Sequence, residues 1–179
     1  MKINLFLLIF STFYIISDDL QIDINITEQR LYLKENGLII DSFPVSTSKY
    51  GEGSIQNSFK TPLGKHKIKT KIGKNADINT IFIARENSYK KADIIIHEFD
   101  TENDYVTSRI MWLQGLDSGF NIGPGVDSYD RYIYIHGTHE EGLIGKKASH
   151  GCIRMFNDDV IYLLDRKSTR LNSSHLLIS

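Results

Sequence analysis

The amino-acid sequence predicts a mainly β protein, a sandwich-like or barrel-like sheet with one or two short helices. Short apolar runs, several alternating with polar residues, recur along the chain, and clusters of Gly, Asn, Asp and Ser separate them. The composition is 41% hydrophobic and 11% aromatic, which is sufficient for a buried core. A length of 179 residues corresponds to about one domain.

The first predicted strands form a hairpin. In residues 22–26 every second residue is isoleucine, and in residues 31–33 two leucines flank a tyrosine. This alternation is typical of strands with one buried face. Asn36-Gly37, a pair that favours a tight hairpin turn, then precedes the apolar run 38–40.

Later strands and one helix follow from similar patterns. The turn Thr61-Pro62-Leu63-Gly64 precedes residues 65–72, where lysine alternates with other residues and predicts one buried and one solvated face. Near residues 158–164 we expect a short helix, with Asn157 as its N-cap and two acidic residues in the first turn. Further short apolar runs predict strands at 81–84, 94–96, 110–113 and 132–135.

The two ends of the chain differ from the middle. Residues 1–17 combine Lys2, an apolar run and a polar boundary, which indicates a signal for export to the periplasm or cell envelope. The run is short for a membrane-spanning helix, and an uncleaved amphipathic anchor is the alternative. Residues 166–179 resemble the peptide encoded by a sequencing adapter read in frame, so we interpret them as non-native; an ordinary disordered tail is the alternative.

Charge and cysteine content exclude some functions. Lys and Arg total 21 against 22 Asp and Glu, so no basic excess is available to neutralise a phosphate backbone, and nucleic acid is not an expected partner. A single cysteine excludes an internal disulfide framework and any CxxC motif.

That cysteine, Cys152, is the candidate nucleophile. A lone cysteine is more often a small buried apolar residue, but here the neighbours are polar or tiny, and an exported chain would not casually keep an unpaired thiol. Because the thiolate is the reactive form, a proton acceptor is needed. His136, at the end of the predicted strand 132–135, is the better partner; His150 is the alternative, which we assign to shaping the loop.

Residues 21–165 resemble the L,D-transpeptidase catalytic domain, also called the YkuD-type domain, of bacterial cell-wall enzymes. The resemblance rests on ordered landmarks: residues 28–33, Thr61-Pro62-Leu63-Gly64, residues 108–113, His136, and Ser149-His150-Gly151-Cys152-Ile153-Arg154. It implies a β-sandwich-like fold. Because that domain continues past its helix into a closing strand, we expect the sheet here to lack its last strand, which the adapter-like tail replaces.

The resemblance also implies roles for individual residues. Cys152 would be the nucleophile, and His136 the general base, oriented by the backbone carbonyl of Gly137. Arg154 would either bind a stem carboxylate or brace the loop through backbone carbonyls. Supporting roles in the loop and the oxyanion site fall to Gly137, Ser149, His150 and Gly151. No metal or cofactor is implied.

The implied reaction is acyl transfer on peptidoglycan. The family attacks the peptide bond after the third residue of a tetrapeptide stem, releases D-alanine and passes the acyl group to an amine of another stem, forming a 3-3 cross-link. Some relatives use a lysine of an outer-membrane lipoprotein as acceptor, or act as hydrolases or L,D-carboxypeptidases. A low-pKa thiol outside the cytoplasm oxidises readily, so we expect Cys152 at the base of a narrow opening.

Two hypotheses from other classes stay open on the sequence alone. One is a zinc hydrolase with His136, His139 and either His150 or Cys152 as ligands, although no acidic general base lies nearby in sequence. The other is a non-catalytic wall-binding module, which needs neither the thiol nor the imidazole.

Overall fold

A computed structural model describes residues 20–166 and 176–179. The described chain forms one open mixed sheet of ten strands. The strands are β1 (Leu20–Asn25), β2 (Arg30–Glu35), β3 (Leu38–Pro44), β4 (Gly64–Ile72), β5 (Thr80–Ile83), β6 (Glu86–Lys91), β7 (Val106–Gly115), β8 (Tyr134–Thr138), β9 (Ile153–Met155) and β10 (Leu176–Ile178). Helix α1 (Asn157–Ile161) continues into a π-helical turn, Tyr162–Arg166, and Glu141–Leu143 form a 3₁₀ turn.

The long strand β7 organises the sheet. The strand order is β3-β2-β1-β10-β4-β7-β5-β6, and β8 also pairs with β7. One edge of β7 carries β4 and β5, while the other carries β8, which in turn pairs in parallel with β9. This arrangement confirms the mainly β prediction and places His136 and Cys152 on neighbouring segments.

The predicted hairpin and its buried face are confirmed. β2 and β3 pair in antiparallel fashion around Asn36-Gly37, whose φ angles of 52° and 79° are the left-handed values that such a turn requires. In β1 every second side chain is buried, and in β4 the alternation holds up to Lys69, where a register shift interrupts the pairing with β7. These strands contribute many residues of the main hydrophobic core, each worth about 1.5–3 kcal/mol of burial.

The segment 94–96 is not a strand, contrary to the prediction. It makes only isolated contacts: the Ile95 N–H donates to the His139 carbonyl and the Gly142 N–H donates to the Ile95 carbonyl. Ile96 is 82% exposed. The apolar run has no alternation to distinguish a buried strand from an irregular segment, so sequence pattern alone misassigns it.

The predicted helix exists but is shorter, and its cap is different. Phe156 occupies the N-cap position without a side-chain cap, while Asn157 is the first residue of α1. The buried Asn157 amide instead accepts hydrogen bonds from the hydroxyls of Thr107 (2.6 Å) and Ser108 (2.5 Å) and donates to the Thr138 carbonyl (2.7 Å). Asn157 therefore ties the helix to β7 and β8, a long-range role that local capping rules do not reveal.

The expectation that the sheet lacks its last strand is wrong. β10 lies between β1, in parallel, and β4, in antiparallel orientation. Leu176 and Ile178 are 1% exposed, whereas Leu177 is 40% exposed on the other face. This short apolar alternation is sufficient to fill the gap between two strands that need hydrogen-bond partners.

The other predictions on the chain ends are not tested by the fold. The predicted export segment, residues 1–17, and residues 167–175 lie outside the described residues. The non-native origin of 166–179 stays a prediction. Within the described ranges, no helix has the length and apolar character needed to cross a bilayer.

Aspartate substitutions in β10 test its place in the sheet. Leu176→Asp or Ile178→Asp buries a carboxylate and should lower the free energy of unfolding by about 3 kcal/mol or more, whereas Leu177→Asp should cost much less because its side chain is exposed. Urea unfolding followed by the fluorescence of Trp112 measures all three variants. An equal decrease in the free energy of unfolding at the three positions would contradict the assignment of β10 as a strand.

Candidate active site

Cys152 lies just before β9, and its sulfur forms hydrogen bonds with the backbone where β8 begins. The Tyr134 N–H donates to Sγ, and the thiol donates to the Tyr132 carbonyl, each over 3.4 Å. The side chain also packs against the smaller apolar cluster, which includes Tyr134 and Trp112. The thiol is partly buried, in agreement with the expectation that it does not lie on an open surface.

The thiol of Cys152 is protonated at rest. Burial is the main cause that raises its pKa, with a smaller contribution from Asp104; the Tyr134 N–H, Arg154 and Arg131 lower it, and together these effects bring it to about 12. The expectation of a low-pKa thiol is therefore wrong for this state, because desolvation outweighs the nearby cations. The nucleophile needs a base at the moment of attack.

His136 has the tautomer and charge state of a base. It lies in the middle of β8, not at its end, and is 1% exposed. Nδ1 is 2.7 Å from the Gly137 carbonyl, which can only accept, so Nδ1 carries the proton and Nε2 keeps its lone pair. Burial lowers the pKa of His136, against the opposing effects of Asp104 and the Gly137 carbonyl. The ring is thus neutral at neutral pH.

The sulfur and the imidazole are neighbours without a direct hydrogen bond. In the described chain, the hydrogen bonds of Sγ are to the backbone of Tyr132 and Tyr134. The Tyr134 ring, which packs near the thiol, has its centre 6.4 Å from that of His136. The pairing of β8 with β9 is what brings the segments of His136 and Cys152 together.

The loop before Cys152 is held by short polar contacts. The Ser149 hydroxyl donates to the Cys152 carbonyl (2.6 Å) and accepts from the Gly151 N–H (3.2 Å). Thr61, from the predicted turn, donates to the Gly151 carbonyl (3.0 Å). Gly151 has a φ of 120°, which disfavours any residue with a side chain. The backbone N–H groups of Gly151 and Cys152 are the expected oxyanion donors, and because that of Gly151 is occupied, it is the less suitable of the two.

Gly137 is required by close packing. A Cβ atom added at this position would lie 2.5 Å from the Asn157 side-chain oxygen and 2.8 Å from the Thr107 carbonyl. The strand carrying His136 can therefore approach β7 and α1 only with glycine there. This requirement adds a structural reason to the expected role of its carbonyl.

Arg154 is buried in a cluster of charges. It is 0% exposed; Nη1 is 2.8 Å from Glu140 Oε2 and Nη2 is 2.7 Å from Asp104 Oδ2. These two carboxylates are ion-pair partners of Arg154, but its buried Nε and Nη2 donate no hydrogen bond within the described residues. Which of its two expected roles it has stays a prediction.

Asp104 links this cluster to the loop. Its Oδ2 is also 3.0 Å from Nδ1 of His150. The ring centre of His150 is 5.7 Å from that of Tyr50 and 6.1 Å from that of Phe59. Burial alone would raise the pKa of Asp104, but Arg154, His136 and His150 together lower it. The assigned role of His150 in shaping the loop stays a prediction.

Sequence reasoning missed Asp104 and Glu140. Asp104 lies in the irregular segment between β6 and β7, where no motif or periodicity marks it. Glu140 is 1% exposed and accepts hydrogen bonds from the backbone N–H and hydroxyl of Thr101. A buried arginine needs anionic partners, but the sequence does not say which of many acidic residues supply them.

His139 points away from the cysteine. Its Nε2 is 3.1 Å from the Thr101 hydroxyl, and its ring lies 4.7 Å from that of Tyr105. Within the two described ranges, no group of three or more His, Cys, Asp or Glu side chains is placed to hold a metal ion.

A small cavity opens beside the thiol. Its volume is about 170 Å³, and its wall includes Tyr132, whose carbonyl accepts the thiol hydrogen bond. The other lining residues come from the loop before β4, the segment before β8 and the cysteine loop: Gln56, Asn57, Phe59, Asp130, Arg131, Ile133 and His150. Cys152 itself does not line the cavity, which the cysteine loop borders through His150.

Comparison with known proteins identifies the family to which the chain is similar. The family model of the L,D-transpeptidase catalytic domain (YkuD) matches residues 19–170. A stretch of 43 residues is 51% identical to part of YqjB from Bacillus subtilis (strain 168), whose name places it among the L,D-transpeptidases; it covers 24% of each chain.

Solved structures share the fold. One is the LD transpeptidase LdtMt1 in complex with imipenem, with a TM-score of 0.52, 15% identity, and 90% of this chain and 59% of that chain covered. Another is an L,D-transpeptidase from Mycobacterium smegmatis, with a TM-score of 0.51, 14% identity, and coverage of 90% and 58%. This chain thus spans less than three fifths of the length of each. It belongs to the family of L,D-transpeptidase catalytic domains.

The pH dependence of alkylation tests the protonated thiol. With its pKa raised to about 12, native Cys152 should react slowly with iodoacetamide at neutral pH, and the rate should rise about tenfold per pH unit while the protein stays folded. The urea-unfolded chain is the control and should level off above about pH 8.5. Intact-mass spectrometry follows both reactions. A native rate that levels off below about pH 9 would contradict the assignment.

Replacing Asp104 tests its electrostatic role. Asp104→Asn removes a charge that raises the pKa of Cys152, so alkylation at about pH 9 should become several-fold faster. The same variant takes a partner from the buried Arg154 and should lower the free energy of unfolding by about 1–3 kcal/mol. The control is Asp100→Asn, in the same segment, whose carboxylate pairs with Lys49 and is 44% exposed. Matching rates for the two variants would refute the role.

Proposed function

We propose that this chain is a peptidoglycan L,D-transpeptidase that uses Cys152 as nucleophile and His136 as general base. The observation that carries the proposal is a neutral imidazole, held by the Gly137 carbonyl with Nε2 unprotonated, on the strand next to a protonated thiol. Both groups are neutral at rest, so attack needs only one proton transfer between them. Membership of the family supports the same reaction class.

The first half-reaction forms a thioester. The thiol proton of Cys152 passes to Nε2 of His136 as the sulfur bonds to the carbonyl carbon of the third stem residue. The bond between that carbon and the nitrogen of D-alanine then breaks, and His136 returns the proton to the leaving amine. The products are free D-alanine and an acyl-enzyme.

The developing charge on the carbonyl oxygen requires a hydrogen-bond donor. The Gly151 N–H is engaged by Ser149, so the Cys152 N–H is the better candidate of the two. One such donor commonly lowers the barrier by about 3 kcal/mol. Ser149 and Thr61 keep the loop in place, and Arg154, Asp104 and His150 act as positioning residues behind it.

The second half-reaction passes the acyl group onward. An amine attacks the thioester carbonyl, His136 accepts a proton from that amine, and the sulfur leaves and is reprotonated. A side-chain amine of another stem gives a 3-3 cross-link, a lipoprotein lysine gives an attached lipoprotein, and water gives hydrolysis. Such substrates place the reaction in the cell envelope, in agreement with the predicted export signal.

Incubation with tetrapeptide-bearing muropeptides tests the function. Mass spectrometry should show D-alanine release, an adduct on Cys152, and cross-linked or tripeptide products. Cys152→Ala should abolish all of them, and His136→Gln should lower the rate of D-alanine release by about 10²–10⁴-fold. His97→Gln, which removes an exposed imidazole, is the matched control and should keep full activity.

Three results would count against the proposal. D-alanine release by Cys152→Ala would favour another nucleophile. Loss of activity with EDTA would favour the zinc hydrolase, and wild-type binding without any product would favour the non-catalytic module.

A further inference from the structure

Arg85 lies at the tip of the β5–β6 hairpin, against aromatic side chains beside Cys152. Its guanidinium carbon is 5.1 Å from the centre of the Trp112 ring and 4.9 Å from that of Tyr132. Trp112 is itself stacked on Tyr129, with ring centres 3.9 Å apart. The guanidinium is thus supported by two rings, an arrangement that stabilises an arginine without neutralising its charge.

The aromatic residues around Arg85 also contact the thiol or pack in the same cluster. Trp112 and Tyr134 belong to the apolar cluster against which Cys152 packs. The Tyr132 carbonyl accepts the thiol hydrogen bond, while the Tyr132 ring contacts Arg85. Tyr132 is therefore a contact that Arg85 and the thiol share.

Arg85 has no carboxylate partner in residues 20–166 and 176–179, where the ion pairs involve other cations. The Tyr134 hydroxyl interacts with it and raises the pKa of Arg85. Arg154, in contrast, already has two carboxylate partners. A guanidinium held by its faces keeps N–H groups for a planar acceptor, and a carboxylate suits that fork best.

In the hairpin turn, Arg85 adopts a backbone conformation that glycine or asparagine would adopt at a lower energy. Ala84 and Arg85 have φ angles of 48° and 72°, the same left-handed region as Asn36 and Gly37 in the β2–β3 turn. Non-glycine residues with bulky side chains are uncommon there. The conformational energy that this backbone geometry costs is compatible with a role for the Arg85 side chain at this position.

We propose that Arg85 binds a free carboxylate of the acyl-donor peptide and so positions the peptide at Cys152. The inference rests on the proposed function for its substrate, a tetrapeptide stem. That peptide offers two carboxylates near the reacting bond: the C-terminal carboxylate of the leaving D-alanine and the side-chain carboxylate of the diaminopimelate before it. The shared chemistry is a planar anion within reach of the arginine.

Binding to a chain that cannot react tests the inference directly. In a Cys152→Ala background, the tetrapeptide stem is titrated, and the fluorescence of Trp112, the single tryptophan, reports occupancy beneath Arg85. Arg85→Gln should raise Kd about 10- to 100-fold, and Arg85→Lys should raise it less. Lys90→Gln, which removes an exposed charge from the same hairpin, is the matched control and should leave Kd unchanged.

Two amidated peptides identify which carboxylate is bound. If Arg85 binds the C-terminal carboxylate, the peptide with a C-terminal amide should bind weakly, and its Kd should be the same with Arg85 and with Arg85→Gln. The peptide with an amidated diaminopimelate should still show the full increase in Kd on Arg85→Gln. The reverse pattern assigns the diaminopimelate carboxylate. Either pattern supports the inference, because the extra binding affinity is then present only when the chain has Arg85 and the peptide has that carboxylate.

If Arg85→Gln raises Kd by the same factor for the tetrapeptide and for both amidated peptides, the inference is overturned and the role of Arg85 is structural. An unchanged Kd for the tetrapeptide, or no detectable binding to the Cys152→Ala chain, would also overturn it. The proposed function fails separately, when the intact chain releases no D-alanine. These results are distinguishable because the titration requires no catalysis.

Discussion

The buried guanidinium of Arg154 is the charge around which the cysteine loop is organised. Removing such a group from water costs several kcal/mol, so it is retained only with anionic partners in good geometry. Glu140 supplies one from the end of β8 and Asp104 supplies another from the segment before β7. The same two carboxylates hold Thr101 and His150, so three parts of the chain are fixed by one cation.

This cluster also sets the electrostatics of the reacting pair. Asp104 favours the protonated form of both His136 and Cys152, while Arg154 opposes it in each. Burial has the larger effect and leaves the imidazole and the thiol neutral. A site of this kind keeps its nucleophile in a less reactive form until substrate brings thiol and base together. Because the chain has no second cysteine, a sulfenic acid on Cys152 could not be resolved within the molecule, and a protonated thiol is slower to oxidise.

Much of the fold could be predicted because its signals are local. Alternation in residues 22–26 and the Asn36-Gly37 turn predict β1 to β3. The cysteine motif and His136 lie on segments that the sheet pairs. Long-range constraints could not be predicted: the partners of Arg154, the tethering of α1 by Asn157, and the irregular course of 94–96 depend on contacts between distant segments. The raised pKa of Cys152 is of the same kind, because burial is a property of the packed molecule and not of the motif.

The position of β10 has a consequence for when the molecule can fold. β10 is synthesised after the other strands, yet it lies between β1 and β4, and its neighbours are separated from it by most of the chain. The sheet therefore cannot close while the protein is still emerging from the ribosome. Pairings of such long sequence separation form slowly. Among the described strands, β10 therefore pairs late, and the facing edges of β1 and β4 stay unpaired until it arrives.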